Sequence, residues 1–86
     1  MSYNYETEKQ ALFTEEGQET FIKLRDGVLA KVKETGAITM GAAMIGTGSS
    51  WTLMACVHRM VELGDLESVW DKGAGQHEVF RVPPKY

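Results

Sequence analysis

The chain has 86 residues, which is the length of one domain and too short for two independently folded cores. Hydrophobic residues make up 43% and charged residues 24%, a composition that excludes a disordered or collagen-like chain. Nine Lys and Arg against twelve Asp and Glu give a net charge of -3. This balance excludes a protein that attracts nucleic acid through its overall charge, so any such binding has to be local.

Charge is distributed unevenly along the chain. Residues 1–20 hold five acids and one base, whereas residues 37–57 carry no charged side chain. An uncharged run of 21 residues is long enough to cross a bilayer. Its middle, residues 46–50, has no large apolar side chain, and exposed backbone of this kind is costly in hydrocarbon. We therefore expect no membrane span.

The N-terminus and the cysteine count bear on the compartment. The first ten residues, MSYNYETEKQ, have neither a basic start nor an apolar stretch and predict no secretory signal. Cys56 is the only cysteine, which excludes an internal disulfide and is typical of a reducing compartment. These features predict a cytoplasmic protein.

Residues 1–13 are predicted to form an arm or a short amphipathic helix whose apolar end is Ala11-Leu12-Phe13. Such a segment is either a frayed terminus or a dimerisation or partner-docking arm that uses Tyr3 and Tyr5. A long first helix follows, because Thr14 can cap its amides and Gly36 allows a left-handed exit. Its apolar stripe consists of Phe21, Leu24, Val28 and Val32.

Two shorter helices are predicted next. After a connector or small strand at residues 37–39, Thr39 can cap a helix from Met40 to Ile45, with Met44 and Ile45 as its core contacts. Ser49 can cap a third helix that runs to about Leu63. At 100 degrees per residue, its buried side would hold Leu53, Cys56, Val57 and Met60. The opposite side would hold Trp51, Ala55, His58 and Glu62. Trp51 would either anchor a contact with a partner or fold down onto the second helix or the N-terminal arm.

The end of the chain changes to a β-type pattern. Residues 66–70 and 77–82 read as two short strands, and the glycines of residues 71–76 permit a hairpin turn between them. Pro83-Pro84 cannot continue a ladder and ends the sheet. The predicted fold class is therefore α+β, with an arm at residues 1–13, a domain at 14–82 and a tail at 83–86.

This order of elements resembles the winged helix-turn-helix family over residues 14–82. The most specific part is residues 49–67, which look like a capped recognition helix followed by the Leu-Gly-x-Leu start of a wing. The resemblance implies a three-helix core with a C-terminal two- or three-stranded β-hairpin wing. It also implies double-stranded DNA as a partner, with the third helix entering the major groove.

The resemblance further implies which residues contact DNA. On the third helix, the residues expected to face the duplex are Ser49, Ser50, Trp51, Met54, Ala55 and His58. Arg59 and Lys72 would contact phosphates from the helix flank and the wing tip. Such a protein would be a small transcriptional regulator or accessory DNA-binding protein of bacterial or phage type, without a cofactor.

The small number of bases at this predicted interface keeps a second function open. Family members that bind DNA usually carry several Arg or Lys residues on this helix and wing, whereas this chain has only Arg59, Lys72 and Arg81 there. Two or three phosphate contacts bind weakly, so DNA binding would require a homodimer or a partner. The alternative is a winged-helix protein-interaction module, working as a homodimer, small subunit or inhibitor.

Other chemistry is not favoured by the residue pattern. Cys56 and His58 would point about 200 degrees apart on a helix and cannot chelate one metal ion. No histidine is predicted beside Cys56, which is better read as a small core residue. The Gly-rich residues 46–50 lack the lysine of a phosphate-binding loop. We therefore expect neither an enzyme nor a metal or cofactor site.

Overall fold

The structure is a computed structural model that describes residues 3–46, 48–70 and 78–84, with Trp70 described by its backbone alone. Its longest element is helix α2, Glu15–Thr35. The Thr14 hydroxyl accepts a hydrogen bond from the Gly17 N–H at 3.0 Å, and Gly36 ends the helix at φ 89°. Both predicted ends of this helix are confirmed. Its predicted apolar stripe is also buried, as the residues Phe21, Leu24, Val28 and Val32 show.

The N-terminal segment is helical and packs on the domain. Helix α1, Tyr5–Glu8, is followed by a 3₁₀ helix, Lys9–Phe13, of which Leu12 is buried with 1% of its surface exposed. Gly17 of α2 lies so close to this turn that a Cβ at that position would overlap the carbonyl oxygen of Ala11. A glycine is therefore needed there for the segment to approach α2.

A short strand and a short helix follow α2. Strand β1 is Ile38–Thr39, and helix α3 is Met40–Ala43, two residues shorter than predicted. The Thr39 hydroxyl caps α3 as expected, but Met44 leaves the helical region at ψ 66°. The predicted core contacts Met44 and Ile45 are only partly buried, whereas Met40 and Ala43 are fully buried.

Helix α4, Ser50–Glu62, occupies the position of the predicted third helix. The Ser49 hydroxyl accepts a hydrogen bond from the Trp51 N–H at 3.2 Å. Gly46 and Gly48, before the helix, have φ angles of 123° and 131°. Because L side chains rarely adopt such angles, glycines suit this turn between α3 and α4.

The strands form one antiparallel sheet in the order β1-β3-β2, with β2 at Glu67–Trp70 and β3 at Val79–Arg81. Ile38 pairs with Phe80, and Ser68 pairs with Phe80 from the other side. The register shifts between Ser68 and Trp70, which marks a bulge in β2. The predicted hairpin turn, residues 71–76, and His77 lie outside the described residues.

Helices and a small antiparallel sheet are both present, so the predicted α+β class is confirmed. The core joins Leu12 and the α2 stripe to Ile38, Met40, Leu66, Phe80 and one side of α4. The uncharged run of residues 37–57 is divided between β1, α3, the glycine turn and α4. Among the described residues, no helix combines the length and the apolar character needed to cross a membrane.

Candidate interaction face on helix α4

One flank of α4 belongs to the core. Leu53, Cys56, Val57 and Met60 are buried, as the helical periodicity predicts. Burial raises the pKa of the Cys56 thiol to about 11. Because only the thiolate is nucleophilic, this cysteine acts as a small core side chain.

The other flank of α4 is covered by the chain's own N-terminus. We call residues 3–9 the strap, because they lie across this flank. The Tyr3 hydroxyl is 2.8 Å from His58 Nδ1. The Tyr3 ring meets Trp51 edge to face, with centroids 6.4 Å apart, and lies 5.5 Å from the imidazole of His58. Trp51 and His58 are consequently only partly exposed.

The C-terminal end of this flank is a small polar network around Glu62. The Tyr5 hydroxyl donates to Glu62 Oε1 at 2.9 Å, Arg59 forms an ion pair with the same oxygen, and Lys9 Nζ lies 3.6 Å from Oε2. The hydrogen bonds from Tyr5 and Arg59 lower the pKa of Glu62. Burial and the bond to Glu62 raise the pKa of Tyr5 to about 12. The carboxylate therefore ties the strap to α4.

His58 is held from two sides. Its Nδ1 faces the Tyr3 hydroxyl, and its Nε2 lies 3.2 Å from Glu78 Oε1, at the start of β3. A tyrosine hydroxyl can donate or accept, so this arrangement accommodates either the neutral or the charged imidazole. His58 is thus a structural link between the strap, α4 and the sheet.

The prediction that Ala55 lies on an exposed, DNA-facing surface is wrong, because its side chain is fully buried. The prediction assumed that α4 has one buried side and one open side. On the helix, Ala55 lies between Glu62 and Arg59, whose side chains contact Tyr5 and Phe13 of the N-terminal segment. A second packing partner therefore removes from the surface a residue that periodicity alone placed in solvent.

The other residues predicted to contact DNA from α4 remain at least partly exposed. Ser49 and Ser50 are exposed, and Trp51 and Met54 are partly exposed. Together, Ser50, Trp51 and Met54 form an uncharged outward stripe along the first two turns of α4, which we call the α4 stripe. Lys72 lies outside the described residues.

Two bases near α4 and the sheet are engaged with acids. Arg59, the predicted phosphate contact, pairs with Glu62, and its guanidinium lies 5.2 Å from the ring centroid of Phe13. Arg81 on β3 pairs with Glu67 on β2. Charge that would attract a phosphate is thereby compensated at both positions.

Other candidate sites carry little chemistry. Within the described ranges, no group of three or more His, Cys, Asp or Glu side chains could hold a metal ion. A hollow of about 270 Å³ lies between the N-terminal ends of α2 and α4. Its lining hydroxyls include Thr14 and Ser49, which cap helices, and Thr20, which donates to the Glu16 carbonyl. These three hydroxyls are therefore used in structural hydrogen bonds.

Of the internal contacts of the strap, sequence reasoning considered the packing of Trp51 on the N-terminal arm as one alternative, and it did not find the partners His58 and Glu62. The sequence left residues 1–13 as either a frayed terminus or a docking arm that uses Tyr3 and Tyr5, whereas these tyrosines contact His58 and Glu62 of the same chain. The acids Glu62 and Glu78 were not assigned a role. The only local signal was the pair of tyrosines in the first five residues, and it does not specify a partner 55 residues away.

Comparisons with known proteins assign neither a family nor a function to the chain. No protein-family model matches the chain, and neither the curated proteins nor the solved structures give a significant match. Function is therefore inferred from the α4 stripe, the strap and the charges around them.

Proposed function

We propose that the chain is a winged-helix module that binds protein through the α4 stripe, with a second copy of the chain as its partner. The arrangement of elements supports the winged-helix assignment. Helices α2, α3 and α4 precede a sheet of order β1-β3-β2, in which the short strand after the first long helix pairs with the last strand. This layout is compatible with a winged helix, and the α4 stripe would then lie on its recognition helix.

The observation that carries the proposal is the absence of charge on the α4 stripe. Ser50, Trp51 and Met54 present hydroxyl, aromatic and thioether groups. Aromatic residues and methionine are enriched at protein interfaces, and charged residues are depleted from interface cores. DNA binding, in contrast, draws most of its affinity from unpaired Lys and Arg facing phosphates. The stripe therefore suits a protein better than a duplex.

The uncharged α4 stripe is also the surface at which a second copy would meet the least like-charge repulsion. The chain carries a net charge of -3, and residues 1–20 alone have a balance of -4. Two copies that met through their acidic N-terminal regions would bring like charges together, whereas two α4 stripes would not. A two-fold arrangement pairs each stripe with itself, which is the commonest symmetry of homo-oligomers. Trp51 would then be the central anchor of the interface.

Sedimentation velocity across a range of protein concentrations tests this proposal. The wild-type chain should show a reversible monomer–dimer equilibrium, and Trp51→Ala should weaken it by about tenfold or more, as for an interface anchor. Ile22→Ala is the control, because Ile22 is an exposed apolar residue on α2 and is not part of the stripe. It should leave the equilibrium unchanged. A chain that stays monomeric up to millimolar concentration would contradict the proposal.

DNA binding is the second candidate, and the geometry of α4 favours it in one respect. Ser49 and Ser50 are exposed at the N-terminal end of α4, the part that enters the major groove in winged-helix proteins. A duplex titration at several salt concentrations separates the two functions. Arg59→Ala and Lys72→Ala should each reduce the salt slope by about one, whereas Lys33→Ala on α2 should not. Absence of binding at low salt would rule this candidate out.

A further inference from the structure

We infer that the strap is a detachable cover of α4 that opens without unfolding the core and competes with a protein partner for Trp51. The opening concerns the chain alone. The competition rests on the proposed function, because it requires a partner at the α4 stripe.

The contacts of the strap differ from those of the residues that follow it. Helix α1 contributes no buried residue, and the strap is held on α4 by side-chain contacts of Tyr3, Tyr5 and Lys9, of which the two tyrosines are only partly buried. From Ala11 onward the chain is anchored, because Leu12 is buried and the Gln18 side chain donates to the Leu12 carbonyl at 2.6 Å. The boundary between the strap and the anchored part of the chain therefore lies near residue 10.

The strap has little stability of its own. Helix α1 has four residues, too few to persist in water without packing. Its amides are held at one end by the Asn4 cap, which accepts from the Thr7 N–H at 3.2 Å. Segments with few buried contacts open far more often than the core does. Residues 3–9 should therefore open while α2, α4 and the sheet remain folded.

Opening of the strap enlarges the uncharged surface of α4. The Tyr3 ring leaves Trp51 and His58, so both side chains gain exposure next to Ser50 and Met54. Glu62 loses the Tyr5 hydroxyl and the Lys9 ammonium but keeps its ion pair with Arg59, so its charge stays compensated beside the stripe. The face that a second copy needs is thus larger in the open chain, and the strap acts as an internal competitor.

Hydrogen exchange of the intact chain tests the opening. Amides of residues 7–9, which are hydrogen-bonded within the strap, should exchange at least about 100-fold faster than those of Leu24 and Val28, because the strap opens locally whereas the α2 core opens only on global unfolding. Equal rates in the strap and in the core would overturn the detachable strap.

Fluorescence quenching tests which contacts hold the strap. In a Trp70→Phe background, Trp51 is the only tryptophan, and its quenching by acrylamide reports its exposure. The double variant Tyr3→Ala/Tyr5→Ala should raise the quenching constant at least twofold, while the urea unfolding midpoint stays within a small shift. Thr7→Ala is the matched control, because Thr7 is exposed on the same helix. If quenching is unchanged in the double variant, the inference that the strap covers Trp51 is wrong.

The association equilibrium tests the competition. The double variant should dimerise about tenfold more tightly than the wild-type chain in sedimentation velocity, because no strap has to be displaced. Equal association of the two chains would overturn the competition. If neither chain associates, the proposed function fails, and hydrogen exchange and quenching still decide whether the strap opens.

Discussion

The two flanks of α4 are held by different kinds of contact. On the core flank, Leu53, Val57 and Met60 are buried among apolar side chains of α2 and the sheet. On the strap flank, Tyr3, Tyr5 and Lys9 reach α4 through one hydrogen bond or ion pair each, and the two tyrosine rings, only partly buried, pack beside His58. The same helix is therefore fixed on one side and only covered on the other.

The magnitudes of these contacts differ several-fold. Truncation of a buried Leu or Met side chain destabilises a protein by about 2–5 kcal/mol. A single hydrogen bond contributes about 0.5–1.5 kcal/mol, and an exposed ion pair contributes less. The core flank thus determines whether the domain folds, and the strap flank determines how much of α4 is accessible. The following experiments probe where the boundary between the two regions lies.

Leu12→Ala should have the largest effect, because Leu12 places the end of the N-terminal segment in the core. Because only 1% of the Leu12 surface is exposed, the substitution should lower the free energy of unfolding by about 2–5 kcal/mol, measured by urea denaturation. Leu63→Ala is the control, since 52% of Leu63 is exposed and the change should stay within about 0.5 kcal/mol. Similar, small effects of both substitutions would place Leu12 with the strap instead of the core.

Gly17→Ala should have an intermediate effect that reaches the N-terminal segment. The new Cβ would overlap the Ala11 carbonyl oxygen, so backbone has to move and the expected destabilisation is about 1–3 kcal/mol. Gly27→Ala lies in the same helix, and its Cβ would meet only the end of the Ile45 side chain, at 3.2 Å. Ile45 is partly buried and can shift, so this control should gain up to about 1 kcal/mol of helix propensity.

Thermal unfolding of the two glycine variants measures this difference. Gly17→Ala should melt below the wild-type chain, and Gly27→Ala should melt at or above it. If both variants were stabilised, the packing of residues 11–13 against α2 would not require the glycine.

The parts of the fold that local signals determine were predicted well. Helix α2 begins and ends where Thr14 and Gly36 place it, because a cap and a left-handed exit act within one turn. The core side of α4 followed from periodicity for the same reason. Helix α3 ended two residues early at Met44, where no Gly or Pro marks the end. Helix boundaries without such a signal depend on tertiary packing.

The candidate site was harder to predict because its contacts join distant residues. Ala55 was placed in solvent because nothing in residues 49–63 indicates that a second segment covers them. The link from Tyr3 to His58 spans 55 residues, and the link from His58 to Glu78 spans 20. The compensation of Arg59 by Glu62 is local, three residues apart on one helix, and could have been inferred from sequence.

The smallest expected effect is a pH dependence of the strap alone. The pKa of Glu62 is lowered from its usual 4.5 in the folded chain, so its contribution is present above pH 4.5 and is lost as the pH falls through the lowered value. The pKa of Tyr5 is raised from 10.0 to about 12, so its contribution is present below pH 10 and is lost as the pH rises toward 12. Burial raises the pKa of Tyr3 as well, which adds to the alkaline limb.

Quenching of Trp51 in the Trp70→Phe background should therefore be lowest between about pH 5 and pH 10 and rise on both sides. Glu62→Gln should flatten the acid limb, because an amide does not titrate, and leave the alkaline limb in place. Far-UV circular dichroism on the same samples separates strap opening from global unfolding. An acid limb that persists in Glu62→Gln would mean that Glu62 does not hold the strap, and the boundary between the two flanks of α4 would have to be drawn at Tyr3 and His58.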